Sequence, residues 1–346
     1  MVMTGIRDRA VGALAGLALG DALGMPTQSM SRRRIAERYG LVTGLLDAAA
    51  DQPIAPGLPA GTVTDDTEQA LLLARLLIDG AGHVDAVAFA EALSRWEEEM
   101  VRRGSADLLG PSTRRALQRL HAGEPPEESG RDGTTNGAAM RVAPVGIAVP
   151  VGDALLDAVV AAGRVTHNTG IGIAAAAAVA AAVSAGVAGA AQADALDEAE
   201  RAAAAGAQRG HWRAGADVGA RIRWVRGWVR GMGRAALTDA VVDVVGTSVA
   251  AQESVVAAFA LVEALGSDPL DALTVAAGLG GDTDTIAAIC GAVLGAHHGV
   301  AGLPADMLGT VCRVNRLDLA HVADGLLALR HRAEGGGAGG PGGGAV

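Results

Sequence analysis

From Ile171 to Ala191 the chain carries no charged residue. A run of that length has two stable homes: the hydrocarbon of a bilayer, or the inside of a protein that wraps it in further elements. It is mostly alanine, broken by Gly172, Ser184, Gly186 and Gly189, so its gain on entering lipid is weak for its length. No basic flank or aromatic belt marks its ends. We therefore read it as a helix buried on all sides, which demands a shell of helices around it. Composition supplies that shell: hydrophobic residues make up 50% of the 346, charged residues 19%, and aromatics only 2%. Abundant Ala and Gly let helix backbones approach closely, whereas a β-sandwich or barrel draws on aromatic and β-branched residues.

Helical periodicity runs through most of the chain. Ile6, Ala10, Leu14 and Leu17 form a stripe over roughly 5–19, and Ala70, Leu73, Ala74 and Leu77 form another. Asp153 opens a short helix that Gly163 is expected to end. Residues 241–265 and 284–298 read as apolar helices, and 316–332 as a last amphipathic one. Loops are expected near 51–61, 121–138 and 266–284. No convincing alternating strand and no internal repeat is present. The expectation is an all-α fold: a single compact orthogonal multi-helix domain over 1–333, followed by a disordered Gly-rich tail over 334–346.

The formal net charge of −10 argues against nucleic acid as the main partner. Arginine supplies all 28 basic residues. The stretch Trp212 to Arg234, with Trp224 and Trp228 among arginines, suits RNA or phosphate binding, or an amphipathic surface helix; we favour the helix. Cys290 falls on the apolar stripe Ile286, Ile289, Cys290, Val293, Leu294 and reads as core, and with Cys312 it suggests neither a disulfide framework nor a zinc site. The N-terminus, with Arg7, Asp8 and Arg9 before a Gly/Ala run, lacks a signal-peptide cleavage pattern. A cytoplasmic protein without a membrane partner is expected.

Two acidic clusters stand directly before apolar, helix-like runs: Thr64-Asp65-Asp66-Thr67 and Asp282-Thr283-Asp284-Thr285. Each is a good helix start on its own, because Ser, Thr and Asp cap free N–H groups and acids complement the dipole. A cap uses one side chain, however, and here acids repeat beyond that need. If the clusters meet, their carboxylates raise one another's pKa. A hard cation relieves that repulsion, and Asp and Thr oxygens without Cys or His suit Mg²⁺, Mn²⁺ or Ca²⁺. Gly280-Gly281 allows close approach at the second cluster. Asp21, read at the end of an apolar helix, opposes the dipole and needs a partner: a local hydrogen bond, or a place beside the metals. Gly133-Thr134-Thr135-Asn136-Gly137 and Leu109-Gly110-Pro111-Ser112-Thr113 are turn-rich helix starts suited to an anion such as a diphosphate, although most such turns bind nothing. His167, in Thr166-His167-Asn168-Thr169, is read as a cap-region hydrogen-bonder rather than a ligand.

Taken together, GALAGLALGDALGMPTQ (12–28), VTDDTEQALLLA (63–74), LGPSTRRAL (109–117), TTNGAAMRVAPVG (134–146), THNTG (166–170) and GLGGDTDTIAAICGAVLGAHHG (278–299) resemble the ADP-ribosylglycohydrolase family, which includes the dinitrogenase-reductase-activating glycohydrolase. The resemblance implies an all-α fold with two divalent cations, Mg²⁺ or Mn²⁺, in a cleft. It implies Thr64, Asp65, Asp66, Asp282, Asp284 and Thr285 as metal ligands, with Asp66 and Asp284 catalytic. Gln28, Gly110, Asp132, Gly133, Asn136 and His167 fall at substrate-binding positions. Many members carry Glu where this chain has Gln28, and a Gln cannot act as a general base. The implied reaction is hydrolysis at the anomeric carbon of a ribose, on an ADP-ribosylated protein or a small ADP-ribose conjugate. An N-ribosidase acting on a small nucleoside-like substrate and a non-catalytic ADP-ribose-binding relative are the alternatives.

Overall fold

The computed structural model describes residues 2–105 and 108–336. Among them every regular element is helical, and the extended pairings are three isolated bridges, Met30 with Gly281, Thr135 with Ala250 and Thr169 with His211. The chain forms an all-α domain. The glycine tail beyond Gly336 lies outside the described residues.

The uncharged run is the helix Gly170–Ala188, buried from Ile171 through Val187. It starts where the Thr169 hydroxyl accepts from the Gly172 N–H at 3.0 Å, and stops at Gly189, whose φ of 92° lies in the left-handed region. Packed around it are Val2–Gly24, Ala143–Ala148, Asp153–His167, Gln192–Gly206, Ala251–Leu265 and Thr283–His298. Protein, not lipid, covers its apolar surface here.

The seam that positions the site lies between Val2–Gly24 and Thr283–His298. Gly12, Gly16, Gly20 and Gly24 recur every fourth residue and so share one helix face. They oppose Gly295, Gly291, Ala287 and Asp284 in that descending order, which makes the two helices antiparallel. A Cβ at Gly16 would fall on the Gly291 carbonyl, and one at Gly291 on the Gly16 carbonyl. Only glycines allow this backbone-on-backbone approach. It brings the end of the first helix, with Asp21, to the start of the second, with Asp282 and Asp284.

Several element boundaries differ from the periodicity, each for a local reason. The first helix runs to Gly24, so Asp21 lies inside it. Gly163 does not end its helix, which continues to His167 with Gly163 buried near Ala138. Residues 241–265 divide at Gly246 (φ 92°), leaving a π turn, Val241–Val245, before Ala251–Leu265. The expected loop at 266–284 contains the helix Pro269–Gly278, opened by the Asp268 carboxylate accepting from the Asp271 N–H and by Pro269 in the first turn. The Arg/Trp stretch forms a helix over Val218–Val229. Its Trp224 and Trp228 stack at 5.0 Å, while Arg226 turns inward to Asp197, Glu200 and Glu263.

Candidate active site

The two acidic clusters meet. Asp21, wholly buried, accepts from the Thr64 N–H (3.0 Å) and hydroxyl (2.8 Å), and from the Thr67 N–H (3.1 Å) and hydroxyl (2.5 Å). A carboxylate inside the first helix thus takes two N–H groups at the start of the helix Asp65–Asp79. Asp66 Oδ2 accepts from the Thr285 hydroxyl at 3.2 Å, which joins the clusters, and lies 3.3 Å from the Thr64 hydroxyl, whose proton goes to the nearer Asp21. Asp66 Oδ1 is buried with no hydrogen-bond partner. In the second cluster the Asp282 side chain does not cap its own helix; it accepts from Asn136 Nδ2 at 2.5 Å, while the same nitrogen donates to Ser254 at 3.0 Å. Gly280 (φ 84°) and Gly281 (φ 78°) turn the chain tightly against Met30, where a Cβ on Gly280 would meet the Met30 carbonyl and the Arg32 N–H.

The electrostatics follow from this crowding. Burial raises Asp21 to about 6 despite its four donors, and raises Asp282 to about 6 despite Asn136 and Thr285. Asp66 is pushed well above the usual carboxylate range, first by burial and then by repulsion from Asp65, Asp284, Asp21 and Asp282. Among the described residues no three His, Cys, Asp or Glu side chains form a closed ligand set. The acids surround the floor of a pocket without closing on one another.

That pocket encloses about 170 Å³. Asp65, Asp282, Asp284 and Thr285 line it together with Gly110, Pro111, Thr113, Thr135, Asn136 and Gln28. Gln28 is 6% exposed and its Nε2 has no partner. Thr64 and Asp66 are buried and do not line the pocket. Three expected substrate-binding residues lie elsewhere. Asp132 is clamped by Arg119 on one oxygen and Arg213 on the other, and these arginines hold it down to about 2. Gly133 packs where a Cβ would strike the Thr166 carbonyl. His167 is wholly buried behind the pocket wall, its Nε2 lying 2.9 Å from the Thr135 hydroxyl and its ring against Gly137.

Behind the wall, a line of buried groups connects the acidic floor to Thr135. Gln69 Nε2 donates to Asp65 at 2.8 Å, and Gln69 Oε1 accepts from Arg141 at 2.9 Å. Arg141 donates to Thr166 at 2.6 Å, and Thr166 Oγ1 lies 2.8 Å from His167 Nδ1. Arg141 is 1% exposed, with its guanidinium 5.0 Å from the Phe89 ring centre. Burial lowers it to about 10, against the pull of Asp65, and burial beside Arg141 keeps His167 well below its ordinary value and neutral. The sequence reading missed Gln69 and Arg141. The available signal was an arginine embedded in the apolar run Ala138–Val145, which burial permits only with partners.

Comparison with known proteins places this arrangement. The ADP-ribosylglycohydrolase family model matches residues 3–336. The uncharacterized protein YegU of Escherichia coli (strain K12) is 33% identical over 330 residues, 94% of this chain and 98% of YegU. The ADP-ribosyl-[dinitrogen reductase] glycohydrolase of Rhodospirillum rubrum is 35% identical over 170 residues, 48% of this chain and 54% of that enzyme. The solved structure of an ADP-ribosylglycohydrolase-related protein complex covers 94% of this chain and 99% of its own at a TM-score of 0.66 and 26% identity. The chain belongs to the ADP-ribosylglycohydrolase family, a family of hydrolases that act on ADP-ribosyl groups.

Proposed function

We propose that this protein is a metal-dependent glycohydrolase that cleaves the bond at the anomeric carbon of an ADP-ribosyl group and releases ADP-ribose. The observation that carries the metal is Asp66: a buried carboxylate with an orphaned oxygen, beside four other acids, is unfavourable unless a cation shares the charge. The donor set of Thr64, Asp65, Asp66, Asp282, Asp284 and Thr285 is all oxygen, which suits one or two Mg²⁺ or Mn²⁺ ions. Such ions, when bound, orient ribose hydroxyls and make water a stronger acid.

The chain's own residues supply the rest. Asp284 faces the pocket and Asp66 does not, so the Asp284 carboxylate is the better placed to take a proton from the attacking water as the glycosidic bond breaks. That proton then passes to the leaving group, giving ADP-ribose and the free acceptor. The acidic side stabilises positive charge that develops on the ribose ring. At about 170 Å³ the pocket is smaller than the ~300–1,000 Å³ of whole-ligand sites. It therefore holds the ribosyl end, and the remainder extends through its mouth.

A free-conjugate substrate is a second reading, favoured by Gln28. Its unpartnered amide on the wall offers a hydrogen bond to a neutral group rather than a charge for a basic one. The deciding experiment assays ADP-ribose release from ADP-ribosylated Arg and Ser peptides and from small conjugates, with Mg²⁺, Mn²⁺ or EDTA. Metal-dependent release from a peptide supports the protein substrate, and release from conjugates alone supports the second reading. Binding of ADP-ribose without any release makes the protein a non-catalytic relative and overturns both.

A further inference from the structure

The helices Asp65–Asp79 and Ala86–Arg102 and the end of Ala305–Asn315 border an open trough of about 520 Å³ that shares no lining residue with the acidic pocket. In a chain of net charge −10 its lining has the opposite balance, with Arg75, Arg95, Arg103 and Arg316 against Glu68 and Glu99. Arg103 is paired with Glu99 at 2.8 Å, and Arg95 lies 3.6 Å from Glu91. Among the described residues the Arg75 and Arg316 side chains make no ion pair and no hydrogen bond. Arg316 also stands where glycine is favoured. It caps Ala305–Asn315 at φ 55° and ψ 45°, the left-handed region in which a Cβ is crowded and Gly or Asn is the usual choice. Nothing inside the described fold accounts for an arginine under that strain, whereas an anionic ligand outside it does.

We propose that this trough is a docking site for an acidic, leucine-bearing segment of a partner protein, whose carboxylates are taken by Arg75 and Arg316. Much of the remaining lining is aliphatic: Leu71, Leu72, Leu76, Met100 and Leu317. The one aromatic ring, Trp96, is buried, and its Nε1 donates to Glu68 at 2.5 Å. With no ring free to stack on a base, a nucleotide fits poorly, while a peptide bearing both acids and aliphatic side chains matches both parts of the lining. A second copy of this chain is disfavoured by its own net charge of −10. Asp65, Glu68, Leu72 and Arg75 follow one another at the three- and four-residue spacings of a single helix face, which begins in the acidic pocket and continues in the trough. Asn315, beside Arg316, accepts from the Val63 N–H at 3.1 Å, next to Thr64. A docked segment therefore lies along the helix that presents the first acidic cluster.

The test is fluorescence anisotropy with a fluorescein-labelled peptide of repeated Glu-Glu-Leu, and repeated Gln-Gln-Leu as its control. Wild type should bind the acidic peptide, more weakly as salt rises, and should not bind the control. Arg75→Gln and Arg316→Gly should each weaken binding about tenfold. Arg316→Gly should melt no lower than wild type, because glycine suits the left-handed cap. No binding by wild type, equal binding of both peptides, unchanged affinity in either variant, or a lower melting temperature for Arg316→Gly overturns the inference. So does displacement of the peptide by an equal concentration of AMP, which makes the trough a nucleotide site. A wild-type dimer at low salt that Arg75→Gln abolishes makes it an interface between copies, and overturns the inference too.

Discussion

The Thr285 hydroxyl donates to Asp66 Oδ2 at 3.2 Å, tying together two segments separated by 219 positions. If both oxygens help hold a cation, Thr285→Val removes a donor and an orienting bond at once. Mn²⁺ affinity measured by calorimetry should fall roughly 10- to 100-fold, while the ligand-free melting temperature changes little.

Asp284 and Asp66 should separate activity from stability. Asp284→Ala is expected to lose at least ~1,000-fold in turnover, as removal of a group acting in the transition state does, and turnover at the wild-type rate would refute the mechanism. Asp66→Asn removes a buried, repelled charge. The metal-free variant should melt above metal-free wild type at pH 7.5 and gain less from added Mn²⁺. Thermal unfolding with and without metal reads both effects.

Metal-free wild type should be less stable at pH 7.5 than at pH 5. Asp21 and Asp282 titrate at about 6 in the fold against an ordinary 3.8, so the native state binds more protons than the unfolded chain between those values. Stability therefore falls as pH rises from about 4 through 6, and Asp66, raised further, extends the fall. Saturating Mn²⁺ should flatten or reverse the slope. Urea midpoints across pH 4.5–8, with and without Mn²⁺, test this.

The helix seam predicts opposite outcomes for two glycine replacements. At Gly16 a side chain would meet the Gly291 backbone, so Gly16→Val should cost about 3 kcal/mol or more and lower metal affinity by displacing Asp284. Gly227 has nothing within 4 Å of a Cβ and lies in the helix Val218–Val229, so Gly227→Ala should add roughly 0.5–1 kcal/mol. Urea unfolding of both variants checks the contrast.

Asp132 should matter for structure rather than turnover. Both its oxygens are engaged by Arg119 and Arg213. Asp132→Asn is expected to cost ~1 kcal/mol and to change kcat less than tenfold. A loss of turnover comparable to that of Asp284→Ala would return Asp132 to the chemistry.

What the sequence made legible follows the range of each interaction. The acidic clusters stood out because a helix start needs one capping oxygen and these carry several, an excess visible within four residues. The buried run Ile171–Val187 was readable because absence of charge is a local property. Asp21 could be seen to need a partner, but Thr64 and Thr67 became that partner only where the start of the helix Asp65–Asp79 packs against the first helix. Gln69 and Thr166 were silent because each is ordinary within its own helix, and their line through Arg141, just past the helix Gly137–Met140, exists only where these segments meet. His167 was expected on the cleft and proved to lie one side chain behind it, since a reading of types and spacing gives a residue's neighbourhood but not its depth.

The seam also dictates an order of assembly. The pocket floor joins residues 21 and 64–66 to residues 282–285, so no shorter nascent chain contains it. During synthesis the first helix must wait, with its glycine face uncovered, until Thr283–His298 has been made, a closure of high contact order that is slow and exposed to aggregation. Only when the ends have met do the acids face one another, and only then does a cation have anything to bind. If the pocket takes the proposed cation, its uptake is thus a terminal event, a seal on a completed chain rather than a nucleus for folding it.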